Sequence, residues 1–159
     1  MHSRTMLRQP LRVALTGLLL VGGFAGLPLA AQEVPLALVA KDASLKWGSC
    51  PAFLPKGCEI SVLHGDPAKN NVDVFFKVPG GSTIARHWHT SAERMVLVSG
   101  ELHITYDGHK MEVLKPGTYA YGPAKLPHKA ECKKGAPCIL FIAFESPLDA
   151  VPNEKEPKK

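Results

Sequence analysis

The stretch Gly81-Ser-Thr-Ile-Ala-Arg-His87-Trp-His89-Thr-Ser-Ala-Glu93-Arg-Met-Val-Leu-Val-Ser-Gly100 decides how the rest of the chain is read. Its β-branched and apolar residues, bounded by Pro79-Gly80-Gly81 and Ser99-Gly100, predict strands over 84–89 and 94–98. Strand side chains alternate, so His87 and His89 project from one face and Trp88 from the other. Two imidazoles can therefore meet one ion. The small residues Thr90-Ser91-Ala92 turn a corner and present Glu93 from the start of the next strand. Two nitrogens and one oxygen suit Fe(II), and also Mn, Zn, Ni or Cu. A bare H-x-H pair would be weak evidence, because a strand histidine is more often a hydrogen-bonded residue than a ligand.

Outward from this stretch the chain is a series of short β-rich runs, over 60–63, 72–78, 102–106, 111–114, 118–121, 129–132 and 139–144. Gly65-Asp66-Pro67, Asp107-Gly108, Pro116-Gly117 and Gly122-Pro123 punctuate them with turn chemistry, and Asp107-Gly108 predicts a hairpin. No segment after residue 31 carries a long apolar stripe of helical period. The expectation is a single all-β domain, a sandwich or small barrel of the jelly-roll kind. Residues 32–59 read as an entry segment, with an edge strand around 34–39, and 60–148 as the barrel. Residues 149–159, polar and with two prolines, read as a disordered tail.

The spacing also resembles a known family. Gly81, five residues, His87-x-His89, three residues, Glu93, six residues and Gly100 match the first cupin motif. Gly117, five residues, Pro123, one residue, Lys125, two residues and His128 resemble the second, after an intermotif stretch of 16 residues. Lys125 stands where the pattern has Gly, and Cys132 where it has Asn. The resemblance, to small single-domain bacterial cupins, covers roughly residues 72–145. It implies a cupin double-stranded β-helix, a jelly-roll barrel, with His87, His89, Glu93 and His128 converging on one divalent metal ion. It also implies a homodimer, which the exposed edges of a small open barrel make physically sensible.

The remaining features bound location and partners. Arg4, Arg8 and Arg12 precede an uncharged apolar run over 13–31, and small residues at Ala30 and Ala31 make cleavage after Ala31 the expected fate of an export signal, residues 1–31. Four glycines and Pro28 in that run weaken the alternative, a retained membrane anchor. Removing three Arg from 19 basic residues leaves 16 against 14 acidic ones, a net charge of +2 in place of +5. The basicity belongs mostly to the signal, and nucleic acid is rejected as a partner. Export to the periplasm or beyond makes the four cysteines candidates for disulfides. Of three connectivities, the favoured one is local: Cys50 with Cys58 and Cys132 with Cys138, each pair closing a short loop.

Other residues carry less. Met95, Leu97, Tyr119, Tyr121, Phe141 and Phe144 read as core before they read as pocket. His64, His103 and His109 are not favoured ligands. Arg86 and Arg94 should face away from the interior and form ion pairs. The expected function is that of an exported metal-binding protein acting as a metal-dependent enzyme, of dioxygenase, isomerase or lyase type, on a small organic molecule. Tyrosine and Lys125 are the candidate acid or base groups. The alternative is a non-catalytic cupin that holds metal or a small ligand, or senses it.

Overall fold

The computed structural model describes residues 34–153, so the expected export signal and the tail beyond 153 lie outside the described residues. Eleven strands and no helix occur among them: β1 (Gly48–Ser49), β2 (Glu59–His64), β3 (Val72–Val78), β4 (Thr83–Trp88), β5 (Glu93–Ser99), β6 (Leu102–Tyr106), β7 (Glu112–Leu114), β8 (Tyr119–Gly122), β9 (His128–Cys132), β10 (Cys138–Phe144) and β11 (Val151–Pro152). They form two antiparallel sheets, a six-stranded one in the order β1-β2-β3-β10-β5-β8 and a five-stranded one in the order β11-β4-β9-β6-β7. This is the all-β jelly-roll fold expected from the turn spacing, and the cupin fold that the motif resemblance implies. The strand expected around 34–39 does not form, and that stretch pairs with neither sheet. Its hydrophobic residues Val34, Leu36 and Val39 are exposed, without the alternation that would hold an edge strand against a core.

The core lies between the sheets and follows strand periodicity. Val72, Val74 and Val78 of β3, Leu102 and Ile104 of β6, and Leu140, Ile142 and Phe144 of β10 all point inward and are buried. The same inward rows carry polar side chains at one end. Glu93 heads the row of β5 that continues with Met95 and Leu97, and His128 heads the row of β9 that continues with Ala130 and Cys132.

At the opposite end of β9 the sheets are stapled. Cys132 and Cys138 are joined by a disulfide across the two sheets, both fully buried. Gly100 lies against this bridge with φ at +82°, and a Cβ there would sit 2.9 Å from the Cys138 Sγ and from the Pro137 carbonyl oxygen. Only glycine meets both demands. The second disulfide, Cys50 to Cys58, closes the loop that leads from β1 into β2. The Asp107-Gly108 turn joins β6 to β7, with Leu102 opposite Leu114 and Ile104 opposite Glu112.

The tail boundary moves. Residues 149–153 are held to the five-stranded sheet, with Val151 opposite Trp88 and Pro152 opposite His87. The Asn153 amide donates to the Arg86 carbonyl oxygen at 3.0 Å, and the Arg86 guanidinium returns a bond to the Asn153 carbonyl at 2.9 Å. On the side of residues 151–153 these interactions run through main-chain atoms, which polar composition does not reveal.

The inter-sheet staple can be tested directly. Replacing Cys132 and Cys138 together with Ala should lower unfolding free energy by about 2 kcal/mol, the loop-closure value for so short a loop. Non-reducing peptide mapping of the unaltered chain should return only the two local pairs. A Cys50–Cys132 peptide would contradict the structure.

Candidate metal centre

Strand β4 would bury the wrong residues if it alternated regularly. Ile84 is buried and faces Ala130, so strict period two would turn Arg86 and Trp88 inward next. Between Ile84 and His87 the register shifts: Ile84 pairs with Ala130 but His87 pairs with His128, three residues along β4 against two along β9. This irregularity changes the parity of the strand. His87 and His89 turn inward, 5% and 8% exposed, and Arg86 turns out to pair with Asp107. Arg94, outward on β5, pairs with Glu145.

The three histidines His87, His89 and His128 present ligand atoms that all lie within 4.8 Å of one another. Each ring is held by a peptide carbonyl on its other nitrogen. The Nδ1–H of His87 donates to the Ala85 carbonyl at 2.7 Å, that of His89 to the Asp149 carbonyl at 2.5 Å, and that of His128 to the Leu126 carbonyl at 3.3 Å. A neutral imidazole that donates from Nδ1 offers a lone pair at Nε2. The three lone pairs are therefore turned to the interior, an orientation typical of metal-binding histidines.

Glu93 completes the group. Its Oε1 lies 3.3 Å from His89 Nε2 and its Oε2 lies 3.6 Å from His128 Nε2. With the tautomers fixed by the carbonyls, these are contacts between acceptors, and the buried His89 Nε2 has no hydrogen-bond partner. Burial pushes the Glu93 carboxyl upward, a tendency that His89 partly offsets. Burial, reinforced by the neighbouring histidines, pulls His87 down to about 4 and His128 down to about 3. His87 and His128 are thus neutral at physiological pH, and a carboxyl group and three nitrogen lone pairs share one buried space. A divalent cation fits this donor set, because it satisfies every orphaned acceptor at once.

The surroundings supply what the sequence did not reveal. The turn after β10 carries the Asp149 carbonyl that orients His89, and the Asp149 carboxylate accepts bonds from the Thr90 amide at 2.8 Å and the Thr90 hydroxyl at 2.5 Å. Buried Ser91 accepts from the amides of Glu145 and Ser146 at 2.8 and 3.1 Å, and donates to the Ala92 carbonyl. The T-S-A spacer is thereby fixed at both ends of its turn. Lys125, where the motif has Gly, adopts φ of +62°, and its amide donates to the His89 carbonyl at 2.8 Å. The Tyr106 ring packs 4.8 Å from that of His128. Its buried hydroxyl has no partner and converges with Glu93 Oε2 on Gly122, where a Cβ would lie 2.5 Å from the one and 3.0 Å from the other. Burial, then the Glu93 charge, raises the Tyr106 phenol further, so it stays protonated.

A cavity of about 130 Å³ opens beside the histidines, with Met95 and Phe144 in its wall and Cys50, Pro51 and Leu54 of the disulfide-closed loop over it. The Phe53 ring lies 5.9 Å from that of His87. His103 is elsewhere, bonded to Glu101 at 2.8 Å, and His64 and His109 are exposed. Tyr119 and Tyr121 are exposed as well, and Lys125 does not line the cavity.

Residues 74–144 match the cupin domain family model. Solved structures of similar fold align with the chain. A structure from work on the DMSP lyases RdDddP and RnDddQII aligns with a TM-score of 0.60 at 17% identity, covering 69% of this chain and 62% of that one, so the chain spans just under two thirds of its length. DMSP lyase DddQ from Ruegeria pomeroyi DSS-3 aligns with a TM-score of 0.60 at 19% identity over 86% of this chain and 88% of that one. Oxalate decarboxylase from Bacillus subtilis, a protein with Mn(II) centres, aligns with a TM-score of 0.54 at 17% identity over 69% of this chain and 30% of that one. No curated protein sequence matches the chain.

The geometry separates ligand-set histidines from surface ones. His89→Ala should weaken binding of Co(II), followed by its visible absorption, by about a hundredfold or more, with the β-sheet circular dichroism retained. His103→Ala should leave the titration unchanged. Equal losses in the two variants would contradict a buried site.

Proposed function

We propose, from the cupin domain over residues 74–144, that this chain is an exported protein that holds one divalent metal ion through His87, His89, Glu93 and His128 and is an enzyme of oxygenase, isomerase or lyase type acting on a small organic molecule. The observation that carries the reading is the set of three imidazoles, each locked by a peptide carbonyl with its Nε2 lone pair turned toward the buried Glu93 carboxyl. The disulfides, and the absence among the described residues of any helix able to cross a membrane, are compatible with export.

When bound, such an ion supplies Lewis-acid polarisation of an oxygen-bearing substrate and open positions for it. The residues of the chain do the rest. His87, His89 and His128 are held in one tautomer, so none has to reorganise on binding. The apolar wall excludes water, which strengthens every electrostatic interaction inside. Glu93 supplies the one negative charge of the ligand set. Tyr106, protonated and directed at the Glu93 side of the site, can donate a hydrogen bond to that carboxylate but cannot act as a base. The lyase and decarboxylase activities of the similar structures lend support to chemistry on small molecules.

One observation favours a second reading, a non-catalytic cupin that retains metal and a small ligand. The cavity wall holds no lysine or tyrosine, so outside the ligand set it offers no group for proton transfer except Asp149, already engaged with Thr90. Elemental analysis of protein isolated from its exporting host should find about one transition-metal ion per chain. An NMR survey of small oxo compounds should then show conversion by the metal-loaded protein and none after chelation. Metal retention with ligand binding but no conversion favours the second reading, and absence of metal overturns both.

A further inference from the structure

The cavity beside the three histidines is unusual in what its wall omits. Around His87, His89, Glu93 and His128 it is built from aliphatic and aromatic side chains, among them Ile60, Phe76, Ile84, Met95, Ile104 and Ile142. No lysine, arginine, asparagine, glutamine, serine or threonine lines it. Asp149 reaches the wall, but its carboxylate is occupied by the Thr90 amide and hydroxyl. A ligand carrying a phosphate or two carboxylates would bury more negative charge than the ion and Glu93 leave unbalanced, with no side-chain cation in the wall to meet it, which is costly.

Size and charge narrow the class further. A dry apolar cavity of about 150 Å³ accepts a benzene-sized molecule, and this one measures about 130 Å³. A divalent ion and one carboxylate leave a single positive charge, so the buried group can balance a ligand that gives up one proton but not a dianion. We propose that the cavity takes a small, mainly apolar molecule, of roughly benzene size, that carries at most one negative charge and presents carbonyl or hydroxyl oxygen to the ion. The requirements for the oxygen and for the charge rest on the metal-site reading above; the requirement for an apolar body rests on the wall alone. Oxalate, the dianion named in the decarboxylase that aligns with this chain, is then outside the class.

The described residues contain two methionines in places that make the test site-specific: Met95 is 3% exposed in the cavity wall, and Met111 is 52% exposed on the surface. With 13C-methyl methionine, pentane-2,4-dione should shift the Met95 signal and leave Met111 in place, in metal-free and in zinc-loaded protein. Malonate has the same skeleton with the terminal methyls replaced by charged oxygens. It should bind the zinc-loaded protein at least about tenfold more weakly. Malonate binding as tight as the dione, or a dione that leaves Met95 unmoved in both forms, overturns the inference. Metal content is measured on the same samples. Failure to take up zinc overturns the metal-site reading alone, because the metal-free arm still reports on the wall.

Discussion

Three peptide carbonyls set the chemistry of this protein. By accepting the Nδ1–H of His87, His89 and His128, the carbonyls of Ala85, Asp149 and Leu126 decide that each ring shows the interior a lone pair and not a proton. The three belong to different parts of the chain: an irregularity inside β4, the turn before β9 and the segment beyond β10. Their agreement depends on the whole barrel being assembled. Once it is, Glu93 faces nitrogens that cannot donate to it, and the interior holds a group of acceptors that only a cation or extra protons can reconcile.

The barrel is organised so that this group sits at one end of the inward rows. His128 and Cys132 are the two ends of β9, and they divide its labour: the histidine faces the cavity, and the cysteine crosses to the other sheet as a disulfide beside a glycine that no larger residue can replace. Between them lies the apolar packing of Leu102, Ile104, Leu140 and Ile142, which serves as core and, for several of the same side chains, as cavity wall. The same residues that exclude water to stabilise the fold thereby restrict what a ligand can be.

Much of this was legible because strands write themselves in alternation. The spans of β3 and β6 follow from apolar residues at every second position between Gly- and Pro-rich turns, and the cluster of His87, His89 and Glu93 follows from counting parity from His87. Counting from Ile84 gives the opposite parity, and only the register shift at Ala85 and Arg86 reconciles the two. Nothing in the residue types there announces it. The segment over 149–153 was hidden for a related reason: its hold on β4 runs largely through main-chain atoms, so a polar, proline-containing composition gives no sign of it. The roof of the cavity, Cys50, Pro51 and Leu54, depends on where a disulfide-closed loop falls in space, which local spacing does not encode.

The central claim is that one buried ion meets three imidazole nitrogens at once. Pulsed electron paramagnetic resonance of the Mn(II)-loaded protein counts the nitrogens bound to the ion. The unaltered chain should show three directly bound imidazole nitrogens, and the His128→Ala variant two. A signal with no nitrogen coupling, or one that His128→Ala leaves unchanged, would contradict the claim.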